Sequence, residues 1–196
     1  NKEEINMLSR EDRLRFIYLE HLSRLGKPSG YFSFNSRVST YDIPTEIVVF
    51  YWTGKGKDPV TIYSSLGMSS FAMQDGVFAE IHLSVRGNLS ADQVMQFCRF
   101  VANFAIYPFF HGFAIDWWHL IIDFGKIPVF PDSFSLLIHP EFPCDNWSLI
   151  NMGDETVKVL NIVPLTECEA HIVQNKGILE LLDYMSEKKI DIFQIR

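Results

Sequence analysis

The stretch Val77-Phe-Ala-Glu-Ile-His-Leu-Ser-Val85 decides the fold of this 196-residue chain, because apolar residues alternate in it with a mostly polar set. A period of two residues is typical of a β-strand, in which successive side chains point to opposite faces of a sheet. The pattern therefore predicts a strand with one face buried and one exposed. Further on, Ser90-Ala-Asp-Gln93 has the spacing of a capping box and predicts a largely buried helix that ends at Pro108.

Towards the N-terminus, the sequence predicts one helix and two strands. Residues 9–26 carry apolar side chains on one helical stripe, with Ser9 as the N-cap and Gly26 at the end. A polar stretch follows, up to about Pro44. Runs of β-branched and aromatic residues at 46–52 and 60–64 then predict two strands joined by a turn rich in Gly and Lys.

Towards the C-terminus, apolar runs at 120–122, 134–138, 147–150 and 157–163 predict further strands. The segment Met152-Gly-Asp-Glu155 predicts a hairpin between the last two. Thr166-Glu-Cys-Glu169 is a second capping box, and Gly177 indicates a break or a bend in the helical stretch after it. Strands and helices do not alternate strictly, so we expect an α+β fold: a single domain over residues 1–196, with a mixed or mainly antiparallel sheet covered by helices.

Composition argues against several classes of protein. Apolar residues make up 47% of the chain and charged residues 21%, as in an ordinary globular domain. A net charge of −7 repels phosphate backbones, so we expect no nucleic-acid partner. The apolar stretch at 100–124 is interrupted by Pro, His and Asp residues, and we expect no association with a membrane. The polar first residues are unlike a signal peptide, so a cytoplasmic location is expected.

The sequence contains little that points to a disulfide or a metal site. The three cysteines, Cys98, Cys144 and Cys168, are widely spaced, which argues against a disulfide framework and a structural zinc site. Glu167 and His171 lie one helical turn apart and could share an ion, but no third ligand is near them in sequence. We therefore expect no metal and no cofactor, and a solvated helix face at these two positions.

One group of residues has the composition of an acid–base site. Asp116, His119 and Asp123 bring two carboxylates and an imidazole into an aromatic region, where burial can shift a pKa. A polar group that is satisfied beside a core strand is the simpler interpretation.

Four serines raise the hypothesis of a nucleophile. Ser64, Ser65, Ser69 and Ser70 surround Gly67, but the Gly-x-Ser-x-Gly pattern of a serine nucleophile is absent. We expect Gly67 to be a turn glycine with a positive φ.

A set of short motifs occurs in a fixed order along the chain: Tyr63-Ser-Ser-Leu-Gly-Met-Ser69, Ala79-Glu-Ile-His-Leu83, Leu136-Leu-Ile138 with Pro140, and Val163-Pro-Leu-Thr-Glu-Cys-Glu169 followed by Gly177 and Leu181-Leu182. From about residue 43 to residue 185 this order resembles the suppressor of fused domain family. The resemblance implies a non-enzymatic protein-binding domain and brings no catalytic residues with it. The chain is similar to the compact bacterial members, many of which are associated with polymorphic toxin systems and are thought to act as immunity proteins.

The leading hypothesis is therefore an immunity protein that sequesters a cognate protein toxin. An acidic surface suits a basic partner, because complementary charges accelerate the encounter. Asp75, Asp154 and Glu155 lie in turn-like segments, and we expect their exposed carboxylates to steer this partner. The alternatives are a regulatory adaptor without a toxin, and an enzyme of small molecules built on the acid–base group described above.

Overall fold

A mixed sheet of eight strands organises the residues that the computed structural model describes, namely 8–36, 43–140 and 147–196. The strands are β1 (Gly30–Asn35), β2 (Glu46–Thr53), β3 (Val60–Leu66), β4 (Phe78–Arg86), β5 (Leu120–Ile121), β6 (Ser133–His139), β7 (Leu149–Met152) and β8 (Glu155–Thr166). Their order in the sheet is β1-β2-β3-β4-β8-β6-β5, and β7 pairs with the first part of β8. The β4–β8 pair is parallel and the other pairs are antiparallel, which confirms the predicted α+β fold with a mixed sheet.

Four helices in the described part of the chain cover this sheet: α1 (Arg10–Leu25), α2 (Ala91–His111), α3 (Glu167–Lys176) and α4 (Ile178–Glu187). Both predicted capping boxes are present, at Ser90 and at Thr166. The predicted N-cap of α1 is also confirmed, since the Ser9 hydroxyl oxygen accepts a hydrogen bond from the Asp12 backbone N–H. Gly177 separates α3 from α4, so it marks a break. None of the helices within the described ranges is long and apolar enough to cross a membrane.

The prediction that Pro108 ends helix α2 is wrong. Proline lacks the N–H that would bond to the preceding turn, but a single missing bond near the C-terminal end of a helix can be tolerated. The helix continues to His111 and ends at Gly112, which has left-handed backbone angles. The Gly112 backbone N–H donates to the Pro108 carbonyl and thereby closes the last turn of the helix.

The polar stretch expected before Pro44 contains strand β1. In Gly30-Tyr-Phe-Ser-Phe-Asn35 more exposed residues alternate with less exposed ones, as befits a strand at the edge of the sheet. Its partner is the apolar strand β2, and the six residues of β1 pair with Glu46 to Tyr51 in antiparallel register. The composition of residues 30–35 alone does not indicate a strand, and the pairing with β2 stabilises the extended conformation of this segment.

The core lies on both faces of the sheet, which corrects the prediction of one exposed face for β4. Ala79, Ile81 and Leu83 belong to the apolar cluster that also contains the buried side of α2. On the other face, His82 contacts His21 of α1, next to a second apolar cluster that includes Ile17. The polar residues of the alternating pattern are therefore buried as well. A third cluster packs α3 and α4 against β6 and β8.

Glu80 of β4 is fully buried and holds the turn that follows β3. One carboxylate oxygen accepts hydrogen bonds from the backbone N–H groups of Gly67 and Ser69, at 3.0 and 3.1 Å, and from the Ser69 hydroxyl at 2.6 Å. The other oxygen accepts from the Ser65 hydroxyl at 2.5 Å. Burial raises the pKa of Glu80, and these four hydrogen bonds oppose that effect. The predicted turn glycine is confirmed, since Gly67 has a φ of 131°.

A pair of buried histidines joins α1 to the sheet. The His21 Nδ1 atom lies 2.7 Å from the carbonyl oxygen of Ile17, and a carbonyl only accepts, so Nδ1 carries the proton. The Nε2 atom of neutral His21 is then an acceptor, and it lies 2.8 Å from both the His82 Nε2 atom and the Ser64 hydroxyl. Burial lowers the pKa of His21 to about 4, and burial together with His21 lowers that of His82 well below its ordinary value.

We predict that Gly67→Ala lowers the free energy of unfolding by about 3 kcal/mol, because the residue combines a positive φ with a crowded site. A Cβ atom at this position would lie 2.5 Å from the Glu46 carbonyl oxygen. The matched control is Gly76→Ala, where φ is also positive but no atom lies within 4 Å of the added carbon. Urea unfolding should give a loss of only about 1 kcal/mol for the control. Equal losses in the two variants would contradict the role of the close approach.

Acidification should weaken the fold through His21. The unfolded chain takes up this proton near pH 6.5 and the folded chain only near pH 4, so the stabilisation is complete above pH 6.5 and is lost as the pH falls towards 4. The expected loss from this residue between pH 7 and pH 4 is about 3 kcal/mol. Urea unfolding at a series of pH values should show a flatter dependence for His21→Asn. The exposed His171→Asn is the control, and it should keep the dependence of the wild type.

Candidate functional site

The parallel pairing of β4 with β8 brings two distant loops to the same edge of the sheet. Phe78, at the start of β4, pairs with Val157 near the start of β8. The loop that carries Asp75 leads into β4, and the hairpin turn that carries Asp154 leads into β8. Two of the residues predicted to steer a partner therefore lie in neighbouring loops, although they are far apart in sequence.

Between these loops lies a surface cavity of about 310 Å³. We call it the acidic-loop groove, and its lining residues are Gly76, Val77, Phe78, Asp154, Glu155, Thr156 and Lys158. Apolar side chains of the β4 loop form one part of the lining, and charged side chains of β8 and its turn form another. Such a mixed surface is typical of a site that binds a polypeptide.

Asp75 and Asp154 are exposed and keep their charge uncompensated. Asp75 accepts a hydrogen bond from the Val77 backbone N–H at 3.0 Å, which shapes the loop without neutralising the carboxylate. Neither aspartate forms an ion pair with another residue in the described ranges. Both therefore contribute fully to the negative potential at this edge.

Glu155 differs from these two, because its side chain is only 11% exposed and is paired with an arginine. Its carboxylate lies 2.8 Å from the Arg13 guanidinium and also accepts a hydrogen bond from the Leu8 backbone N–H at 2.8 Å. The guanidinium in turn stacks over the ring of Phe78, 3.8 Å from its centroid. The expected exposure of this hairpin residue is thus wrong, and Glu155 ties α1 to the β7–β8 hairpin.

Lys158, at the other side of the groove, is paired with Asp116. Its ammonium lies 2.7 and 2.8 Å from the two carboxylate oxygens and 4.6 Å from the centroid of the Trp117 ring. Partial burial alone would raise the pKa of Asp116, but the hydrogen bonds and the positive charge of Lys158 outweigh it and lower this pKa. Sequence reasoning missed Lys158, because the sequence alone does not show that Asp116 lies beside this residue of β8.

The three residues of the acid–base hypothesis do not meet in one cavity. Asp116 is held by Lys158, and its backbone N–H donates to the His119 Nδ1 atom at 3.1 Å, which is the geometry of a local turn. Asp123 lines a different cavity, whose lining contains neither of the other two. Among the described residues, no hydrogen bond or ion pair joins Asp123 to Asp116 or His119.

The four serines around Gly67 are buried and serve the structure. Ser65 and Ser69 bond to Glu80, and Ser64 lies beside His21. The Ser64–His21 pair has the distance of a nucleophile and its base, but both side chains are closed off from solvent. A substrate therefore cannot reach the hydroxyl group in this conformation.

Glu167 and His171, the possible metal ligands, are both exposed on α3 and line the same cavity as Asp123. Within the described ranges, no three His, Cys, Asp or Glu residues are grouped so that they could hold a metal ion. Cys98 and Cys168 are free thiols, whereas Cys144 lies outside the described residues. The absence of a metal in the purified protein stays a prediction for elemental analysis.

The motifs quoted above fall on the elements that build this arrangement, and the model of the suppressor of fused protein (SUFU) family matches residues 42–196. The chain belongs to the suppressor of fused family. No curated protein sequence is significantly similar to it.

Three solved structures of this family have the same fold. A SUFU homologue from Neisseria gonorrhoeae is 16% identical with a TM-score of 0.67, and the match covers 95% of both chains. A chain of the Sufu–Fu complex is 14% identical with a TM-score of 0.59, over 94% of this chain and 85% of that one. Drosophila Suppressor of Fused is 13% identical with a TM-score of 0.58, over 92% of this chain and 46% of that one. At such identities the likeness shows the fold alone.

The structure separates the residues of the binding hypothesis from those of the catalytic ones. Asp75 and Asp154 are exposed in loops beside a cavity. The residues of this chain that sequence reasoning placed in a catalytic context are buried, paired or separated. The acidic-loop groove is therefore the candidate functional site.

We predict that Glu155→Gln destabilises the fold and that its neighbour Asp154→Asn does not. Glu155 compensates the charge of a largely buried Arg13, so its loss should lower the free energy of unfolding by about 1–3 kcal/mol. Asp154 is exposed and forms no ion pair with another described residue, so its substitution should change the free energy by less than about 0.5 kcal/mol. Chemical unfolding of both variants tests this, and equal effects would argue against the structural role of Glu155.

Proposed function

We propose that this chain is an immunity protein that sequesters a cognate, basic protein toxin, and that the acidic-loop groove receives this partner. The observation that carries the proposal is the pair of exposed, uncompensated carboxylates, Asp75 and Asp154, beside the apolar side chains of the β4 loop. The other two carboxylates near the groove, Glu155 and Asp116, are already paired with Arg13 and Lys158. The free negative charge is thus concentrated on the two aspartates.

Charge and apolar surface have different tasks in this proposal. The net charge of −7 and the two free aspartates attract a basic protein before contact, over a screening length of about 8 Å at physiological ionic strength. Val77 and Phe78 supply apolar area that is buried once contact is made. Steering raises the association rate, whereas buried area and well-packed anchors slow dissociation.

A regulatory adaptor without a toxin is the second candidate. It is favoured by the Sufu–Fu complex, in which a protein of this fold binds another protein, Fu. The name of that partner does not denote a toxin. The same groove would serve either role, because steering and burial do not depend on what the partner does. The two candidates differ in whether binding relieves toxicity.

The test is co-expression with the product of the neighbouring gene, followed by pull-down and a toxicity assay. Asp75→Asn combined with Asp154→Asn should lower the association rate about five- to tenfold at low salt, and the difference should vanish at high salt. The control pair Asp183→Asn with Glu187→Gln makes the same change in net charge on the exposed side of α4. This control should keep an association rate close to that of the wild type.

Each negative result has a separate meaning. If the neighbouring protein is not bound and its toxicity is not relieved, the immunity function is wrong and the adaptor takes its place. If both double variants slow association equally, the partner responds to overall charge and the groove is not its binding surface.

A further inference from the structure

A second cavity, of about 400 Å³, lies where strand β6 and the segment that follows edge strand β5 meet helix α3. Its lining includes Ile122, Asp123, Phe134, Ser135, Glu167 and His171, and it shares no lining residue with the acidic-loop groove. We call it the edge pocket. Two neighbouring segments, at residues 122–123 and 134–135, and the distant helix α3 contribute to it.

The charge of the edge pocket favours a cation. Asp123 and Glu167 are both exposed, and neither forms an ion pair with a residue in the described part of the chain. No Lys or Arg side chain of that part lines the pocket. A guanidinium group can donate to both carboxylates at once, because its N–H groups form a planar fork.

Two large apolar side chains stand at the surface of the pocket. Ile122 and Phe134 are each 45% exposed and belong to the small set of large apolar side chains that are exposed in the described part of the chain. Exposed apolar side chains beside a cavity are typical of a surface that another molecule covers. They would contact apolar residues on either side of the inserted cation.

A buried hydroxyl group in the pocket has an unused donor. Ser135 is only 5% exposed and lines the cavity. Its oxygen accepts a hydrogen bond from the Asp123 backbone N–H at 3.4 Å, but within the described residues its own hydrogen has no acceptor. A serine hydroxyl both accepts and donates, so an incoming carbonyl oxygen would complete its bonding. This donor points to a peptide and not to a bare cation.

We propose that the edge pocket binds a segment of a protein partner in which an arginine is flanked by apolar residues. The guanidinium group lies between Asp123 and Glu167, the flanking side chains cover Ile122 and Phe134, and a backbone carbonyl accepts from Ser135. The proposal rests on the proposed function only in that the ligand is a protein segment, and it requires neither a toxin nor the acidic-loop groove.

The test is an NMR titration of the full chain with the peptide acetyl-Leu-Arg-Leu-amide at low ionic strength. Saturable shifts are expected at the amide signals of Asp123, Ser135 and Ala170. The isosteric peptide with citrulline in place of arginine should bind about tenfold more weakly or worse, since it lacks the charge. Asp123→Asn with Glu167→Gln should cause the same loss, and asparagine tolerates the positive φ of position 123.

The controls separate this proposal from the preceding one. Asp75→Asn with Asp154→Asn should leave peptide binding unchanged, because these residues line the other cavity or its loop. Absence of shifts at the edge pocket, or equal binding of the citrulline peptide to the wild type, would overturn the proposal. Equal binding of arginine amide and the tripeptide would also overturn it, in favour of a small cationic ligand. If the chain binds the peptide but does not bind the product of the neighbouring gene, the proposal for the edge pocket stands and the proposed immunity function is wrong.

Discussion

The buried carboxylate of Glu80 is the interaction on which the rest of the structure depends. Three of its four hydrogen bonds fix the turn at Gly67–Ser69, and the fourth comes from Ser65 of β3. The Ser69 carbonyl accepts from the Arg13 guanidinium at 3.3 Å. Arg13 in turn pairs with Glu155 on the β7–β8 hairpin. One polar residue in the centre of the sheet is thus linked, contact by contact, to a wall of the candidate binding surface.

This linkage explains why two of the short family motifs belong together. The segment that ends at Ser69 supplies the donors, and the segment that begins at Ala79 supplies the acceptor. Removing either partner would leave polar groups unsatisfied in a site without water access, which costs more than the bond itself contributes. The four hydrogen bonds to Glu80 oppose the cost of burying its carboxylate.

Features set by near neighbours in sequence could be predicted, and features set by distant pairing could not. The capping boxes, the turn at Gly67 and the break or bend at Gly177 depend on a few adjacent residues, and these predictions were correct. The burial of both faces of β4 depends on α1 and α2, and the convergence of Asp123 with Glu167 depends on which strands are neighbours. Local composition indicates neither this burial nor this convergence. The enzyme hypothesis therefore grouped residues that are close in sequence, and Glu155 was expected to be exposed because it lies in a predicted turn.

The order of strands also has a consequence for how the chain acquires its structure. Strands β1 to β4 pair with their neighbours in sequence, whereas the second edge of β4 is completed only by β8, after α2 and three further strands. During synthesis the central strand β4 therefore has an open edge until residues 155–166 of β8 have emerged. Closing this long loop should limit the folding rate, and an unpaired β4 is where premature intermolecular pairing would begin.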